Sequence, residues 1–235
     1  MKRNPIIVAL DVSEPSKALD LATELASVVG AVKIGSELFT SGGPEIVRRI
    51  RATGASVFLD LKFHDIPNTV AKSVAAAVQL DVQMLTIHTC GGGEMMRAAE
   101  ESAQKTAATL GRRPPLVLGV TVLTSMDASN LQEIGLVQDV GTQVERLARL
   151  AVQSGLRGLV CSPHEVSILR KHVPDDFALV TPGIRPSGPA GDDQKRTMTP
   201  KEAMAAGSTW LVIGRPIYAA STPKTAAAQI VQSLS

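Results

Sequence analysis

Short apolar runs alternate along this chain with longer amphipathic stretches. The apolar runs cover residues 6–10, 31–34, 56–61, 84–88, 116–123, 158–161, 178–181 and 210–213. They are rich in Val, Ile and Leu and alternate little, the pattern of strands covered on both faces. Between them, residues 15–29, 44–52, 68–80, 93–110, 142–153, 163–172 and 200–206 read as helices, and residues 223–234 close the chain with another. Pro at or near the first turn of several of these marks where they start. Eight strands in alternation with eight helices predict parallel strands joined by helical crossovers. The count and the length suit a single α/β domain over residues 1–235, a (β/α)8 TIM barrel, which typically takes about 250 residues. A doubly wound open sheet has the same alternation and is the competing architecture.

Two stretches exceed the usual short connections. Residues 124–141 include Ser125, Asn130 and Gly135 and leave room for a short helix. Residues 183–196 are polar and rich in Gly and Pro. A loop of that length in a compact domain is expected to be a lid or a binding loop, or else disordered.

Composition narrows the function. The chain has 235 residues, 44% hydrophobic and 20% charged, the balance of a globular protein with a sizeable core. A net charge of +2 and 3% aromatic residues give no reason to expect nucleic acid. The first apolar run reaches only Asp11, too short for a signal peptide or a membrane span, so a cytoplasmic location without membrane association is expected. The two cysteines, Cys90 and Cys161, form neither a metal-ligand pattern nor a disulfide framework and read as small buried hydrophobes.

The chemistry gathers at the strand ends. In a barrel the C-terminal strand ends share one face, where active sites sit. Here those ends carry Asp11, Lys33, Asp60 with Lys62 and Asp65, His88, Thr124 with Ser125, Ser162, Arg185, and Gly214 with Arg215. Asp60 and Lys62, two apart, are expected on one face of their strand, with Asp65 just beyond. Lys33, flanked by Val32 and Ile34, needs an anion if it is buried, and Asp60 is positioned to supply it. Lys33, Asp60, Lys62 and Asp65 then make an alternating chain of charge. Carboxylates beside Lys62 favour its protonated form, and a protonated Lys in a pocket is a proton donor. The same quartet also fits a structural ion-pair network. Gly183-Ile184-Arg185 and Gly214-Arg215, at the seventh and eighth strand ends, suit a phosphate, which barrels often grip there with Gly amides and the Arg fork. His88 precedes Cys90-Gly91-Gly92-Gly93, expected to be a tight turn. His64, His164 and His172 lie in no ligand spacing, so no metal is assigned.

Asp60-x-Lys62-x-x-Asp65 followed by Ile66-Pro67-Asn68-Thr69 resembles the orotidine 5'-phosphate decarboxylase family. Val8-Ala9-Leu10-Asp11, Val32-Lys33-Ile34-Gly35, Leu123-Thr124-Ser125, Thr181-Pro182-Gly183-Ile184-Arg185 and Ile213-Gly214-Arg215-Pro216-Ile217 resemble that family's strand ends, in its order. The resemblance implies a (β/α)8 homodimer that converts orotidine 5'-monophosphate to UMP and carbon dioxide, the last step of de novo UMP synthesis, without metal or organic cofactor. It implies that Lys62 is the proton donor and that Lys33, Asp60 and Asp65 complete the charged network. It further implies that Asp65 and Thr69 reach into the neighbouring subunit's site, and that Asp11 and Lys33 bind ribose. Thr124 and Ser125 are implied to read the pyrimidine edge. Gln194, Gly214 and Arg215, with Arg185 beside them, are implied to hold the phosphate.

Two other readings compete. Magnesium-dependent sugar-phosphate decarboxylases and aldolases resemble the chain at Asp60-x-Lys62-x-x-Asp65, but Lys33 puts a cation where a metal site needs oxygen ligands. A non-catalytic nucleotide-binding protein has no use for a lysine held between carboxylates.

Overall fold

Each of the eight apolar runs forms a strand in the computed structural model, which describes residues 4–136, 139–186 and 197–234. The strands are β1 (Ile6–Ala9), β2 (Ala31–Gly35), β3 (Val57–Phe63), β4 (Met84–His88), β5 (Leu116–Val120), β6 (Gly158–Val160), β7 (Ala178–Thr181) and β8 (Trp210–Ile213). Every neighbouring pair is parallel, and β8 returns to pair with β1 through Ile6↔Leu211, Ile7↔Val212 and Val8↔Ile213. That closure makes a (β/α)8 barrel and removes the open-sheet alternative.

The helices among the described residues are α1 (Pro15–Leu25), α2 (Ser36–Ala52), α3 (Pro67–Gln79), α4 (Gly92–Thr109), α5 (Ala128–Glu133), α6 (Val140–Gln153), α7 (Val166–Leu169), α8 (Pro200–Ala206), α9 (Arg215–Tyr218) and α10 (Pro223–Gln232). α5 is the short helix expected within residues 124–141. Its Asp127 caps the first turn, accepting from the backbone N–H groups of Ser129 and Asn130. α2 starts eight residues earlier than the sequence pattern gives. Its first turns carry one buried side chain, Leu38, and a break at Gly43 (φ +59) ahead of Pro44 separates them from the amphipathic half. The segment expected as one helix over 163–172 is a 3₁₀ turn, Pro163–Glu165, running into the single turn α7. α9 was not expected. One turn is too short to leave a periodic pattern.

Alternation along the strands builds two cores. Ile6, Val8, Val32, Ile34, Val57, Leu59, Leu85 and Ile87 face outward and are buried beneath the helices. Ile7, Ala9, Ala31, Phe58, Met84, Leu118, Val180, Trp210 and Val212 face inward and fill the barrel. The inward phase continues upward on β2, β3 and β4 to Lys33, Asp60 and Thr86, so the polar groups are the next rung above Ala31, Phe58 and Met84. No helix among the described residues is long and apolar enough to cross a membrane. Of the loop expected at 183–196, residues 187–196 lie outside the described residues, and Gln194 with them. Its described ends are tied together: Ile184 bridges Met198, with Arg185 N–H donating to Met198 O at 3.0 Å and Met198 N–H to Gly183 O at 3.2 Å.

Candidate active site

A cavity of about 260 Å³ opens at the C-terminal strand ends. Asp11, Lys33, Asp60 and Lys62, from the ends of β1, β2 and β3, line it together with Gly183, Arg185, Gly214 and Arg215, from beyond β7 and β8. Phe58, Val120, Val160 and Val212 lie beneath, and Thr124 and Tyr218 complete the wall. Ionic groups are thus held over an apolar floor, which keeps water from screening them from below.

Lys33 stands between two carboxylates. Its Nζ is 3.1 Å from Asp11 Oδ1 and 3.7 Å from Asp60 Oδ2. Lys62 Nζ donates to Asp60 Oδ1 at 2.9 Å. The side chains of Lys33 and Asp60 are 12% and 13% exposed, so this pairing is largely withdrawn from water; Asp11, at 52%, forms its wet end. Burial pushes the Asp60 carboxyl up, but the charges of Lys33 and Lys62 and hydrogen bonds from Lys62 and Thr86 outweigh it. The net direction is below the ordinary aspartate value, so Asp60 is an anion at neutral pH.

Asp60 and Lys62 do meet, but not by simple alternation. Between Leu59↔Leu85 and Phe63↔Ile87, β3 advances four residues while β4 advances two. Asp60, Leu61 and Lys62 form the resulting bulge, and Lys62 lies at φ +50, the left-handed region. For a residue with a β-carbon that conformation costs about 1–2 kcal/mol. Bulges of this kind re-aim side chains next to active sites. Thr86 supports the bulge from β4: the Lys62 backbone N–H donates to Thr86 Oγ1 at 2.8 Å, and the Thr86 hydroxyl donates to Asp60 Oδ1 at 3.0 Å. Thr86 is not among the residues the sequence pattern singles out. Its signal was a hydroxyl in the inward phase of an otherwise apolar strand, between Met84 and His88.

Asp65 and Thr69 stand apart from the cavity. Both are exposed, and among the described residues no ion pair joins Asp65 to Lys62. The Asp65 carboxylate accepts from the Ile66 N–H at 2.6 Å instead. Ser125 is exposed and lies one residue beyond the wall formed by Thr124. His88 stacks obliquely on His64, with ring centroids 5.5 Å apart. Burial first, then His64 and Lys62, push its pKa below the ordinary value, against Asp60, so the imidazole is neutral at pH 7.

Beyond β7 and β8, Gly183 takes φ +77, and Gly214 precedes α9, whose first residue is Arg215. A β-carbon on Gly214 would come no closer than 3.4 Å to Tyr218 Cε1, ordinary van der Waals contact. The triple glycine is the tight turn expected: Thr89–Gly91 makes a 3₁₀ turn, and Gly92, at φ +86, opens α4. Cys161 is buried and lines the cavity, its thiol pushed up by burial and the charge of Glu165. Cys90, expected to be buried, is exposed, because it sits in that surface turn rather than on β4.

Closed topology, a cavity at the C-terminal strand ends and a buried charge array within it define a (β/α)8-barrel enzyme. Comparison with known proteins supplies the family. The model of the "Orotidine 5'-phosphate decarboxylase / HUMPS family" matches residues 4–230. A protein named orotidine 5'-phosphate decarboxylase from Opitutus terrae is 51% identical over 229 residues, covering 97% of each chain. One of the same name from Syntrophotalea carbinolica is 49% identical, covering 99% of this chain and 95% of that one. The crystal structure of orotidine 5'-phosphate decarboxylase from Lactobacillus acidophilus superposes with a TM-score of 0.87 at 37% identity, covering 98% of this chain and 99% of that one. The chain belongs to the orotidine 5'-phosphate decarboxylase / HUMPS family.

Proposed function

We propose that this chain converts orotidine 5'-monophosphate to UMP and carbon dioxide, as a carboxy-lyase of de novo pyrimidine synthesis acting in the cytoplasm. About half identity over nearly the whole length to proteins named for that activity supports the substrate and the reaction. The observation that carries the mechanism is Lys62 Nζ, held 2.9 Å from a largely buried Asp60 at the wall of the cavity.

Loss of carbon dioxide from C6 of the pyrimidine leaves a carbanion with no evident π-type sink. Lys62 stabilises that developing charge and then delivers its proton to C6. Asp60 fixes the ammonium, and Lys33 offsets the second oxygen of the same carboxylate. Crowding of the substrate carboxylate by Asp60 ranks below this preorganised electrostatic effect. Asp11 and Lys33 take the ribose hydroxyls, and Thr124 and Ser125 read the pyrimidine edge. Arg185, Gly214 and Arg215, with Gln194, hold the phosphate. Binding energy from the phosphate, remote from the reacting carbon, then helps to orient C6.

A second copy of the chain completes the site by lending Asp65 and Thr69, which makes the active unit a homodimer. Support comes from their exposure outside the cavity and from Ile66 between them, an apolar side chain left 66% exposed. A magnesium-dependent reaction is disfavoured because Lys33 puts a cation beside Asp60 and both oxygens of that carboxylate are engaged. Asp60 Oδ1 accepts from Lys62 and Thr86, and Oδ2 faces Lys33.

Adding orotidine 5'-monophosphate to the purified protein and following ultraviolet absorbance tests the proposal. A steady fall that EDTA leaves unchanged is the expected result. No fall sinks the substrate assignment, and a fall abolished by EDTA favours the magnesium-dependent reading.

A further inference from the structure

We propose that Thr86 is a positioning residue for the proton donor: its hydroxyl clamps the β3 bulge so that Lys62 and Asp60 stay aimed at the same point in the cavity. Lys62 occupies a left-handed conformation that L-residues avoid, at φ +50. Such a conformation persists only where surrounding contacts over-determine it. The bulge has lost its regular ladder to β4 between Leu59 and Phe63, so the Lys62 N–H has no strand carbonyl in register. Thr86 Oγ1 takes that N–H at 2.8 Å. The same hydroxyl spends its proton on Asp60 Oδ1 at 3.0 Å, the oxygen that also receives Lys62 Nζ at 2.9 Å. A single oxygen therefore ties the main chain of Lys62 to the carboxylate that holds its side chain. Thr86 has no exposed surface and sits in the middle of β4, so the clamp stands on a rigid element.

A hydroxyl is the smallest group that can do both jobs. It accepts in one direction and donates in the other, and it reaches a neighbouring strand without displacing Met84 beneath it. Val in its place keeps the branched shape but leaves both the Lys62 N–H and Asp60 Oδ1 short of a partner. Thr86 has no place in the cavity wall, so it acts through Lys62 and Asp60 rather than on the substrate.

The kinetic part of this inference rests on the decarboxylase reading; the structural part does not. Two readouts on Thr86→Val and Thr86→Ser separate them. The first is hydrogen exchange at the Lys62 amide. Exchange at least about 10-fold faster in Thr86→Val, with Thr86→Ser close to the native protein, is expected from the loss of its acceptor. The second is turnover of orotidine 5'-monophosphate alongside UMP affinity. A displaced catalytic group costs about 10- to 100-fold in kcat, so Thr86→Val should lose that much while UMP affinity and KM move by less than about threefold. Thr86→Ser should recover most of kcat. Unchanged Lys62 exchange in Thr86→Val overturns the clamp whatever the enzyme's activity. Near-native kcat in Thr86→Val, or a Thr86→Ser as impaired as Thr86→Val, overturns the positioning role. A native protein that turns over nothing sinks the functional reading alone, and the exchange comparison still decides the clamp. If Thr86→Val does not fold, Thr86→Ala carries the same two measurements.

Discussion

Two rungs of the barrel interior, one above the other on the same three strands, are built on opposite principles. The lower rung is Ala31, Phe58 and Met84; the upper is Lys33, Asp60 and Thr86. The backbone supplies both through the same alternation, and both are largely withdrawn from water. The lower rung needs only shape, since apolar contacts are non-directional. The upper rung must satisfy each charge and each hydroxyl individually, because an unpaired charge there costs several kcal/mol. Stability therefore rests chiefly on the lower rung and chemistry on the upper, although the two share every strand.

The sharpest way to break that division is Lys62→Ala. It removes the group set to protonate the carbanion and leaves the lower rung untouched. Turnover should fall at least about 10³-fold, beyond the usual contribution of one acid–base group, because electrostatic stabilisation goes with it. Melting temperature should change little, and UMP should still bind in part. Near-normal turnover would remove Lys62 from the mechanism.

The reciprocal change is Met84→Ala, directly below Thr86. Truncating a fully buried Met costs about 2–5 kcal/mol. The melting temperature should drop, while kcat measured well below the new midpoint stays within about twofold, a difference of under 0.5 kcal/mol in the barrier. A kcat loss as large as that of Thr86→Val would mean the rungs are mechanically coupled and the division is too simple.

Much of this organisation was legible in the chain. The strands fell within a few residues of their observed ends because β-rich apolar runs bounded by charged or glycine-containing segments leave little freedom. Lys33 could be matched with Asp60 because a lysine in a buried strand demands an anion, and the register Lys33↔Phe58, Gly35↔Asp60 brings them together. The bulge was not legible. Asp60 and Lys62 are two residues apart, so simple alternation and a bulge with a left-handed Lys62 make the same prediction from sequence. Only the register slip against β4 and the φ of Lys62 tell them apart. α9 and the early half of α2 were missed for lack of a periodic apolar face. Asp65 could be named from the motif it completes, but its place outside the chain's own cavity was implied only by the family resemblance, not by spacing or periodicity.

Acid titration probes the upper rung by itself and has the smallest expected effect. The Asp60 carboxyl is held below its ordinary value of 3.8 by Lys33, Lys62 and Thr86, against the opposing and individually larger effect of burial. A carboxyl lowered on folding contributes stability that is fully present above its unfolded value and is lost as pH falls through its folded value. Asp60→Asn places an uncharged amide between the same two ammonium groups at every pH. The stability gap between the native protein and Asp60→Asn should therefore stay flat from pH 7 to about 5. Below that it should narrow, as the native carboxyl takes up a proton and comes to resemble the amide. Denaturant unfolding across that range measures the gap. A gap that already closes between pH 7 and 5 would mean that burial wins and that Asp60 is not the firm anion to which Lys33 and Lys62 are anchored. A gap that opens toward low pH would reverse the sign of the pairing altogether.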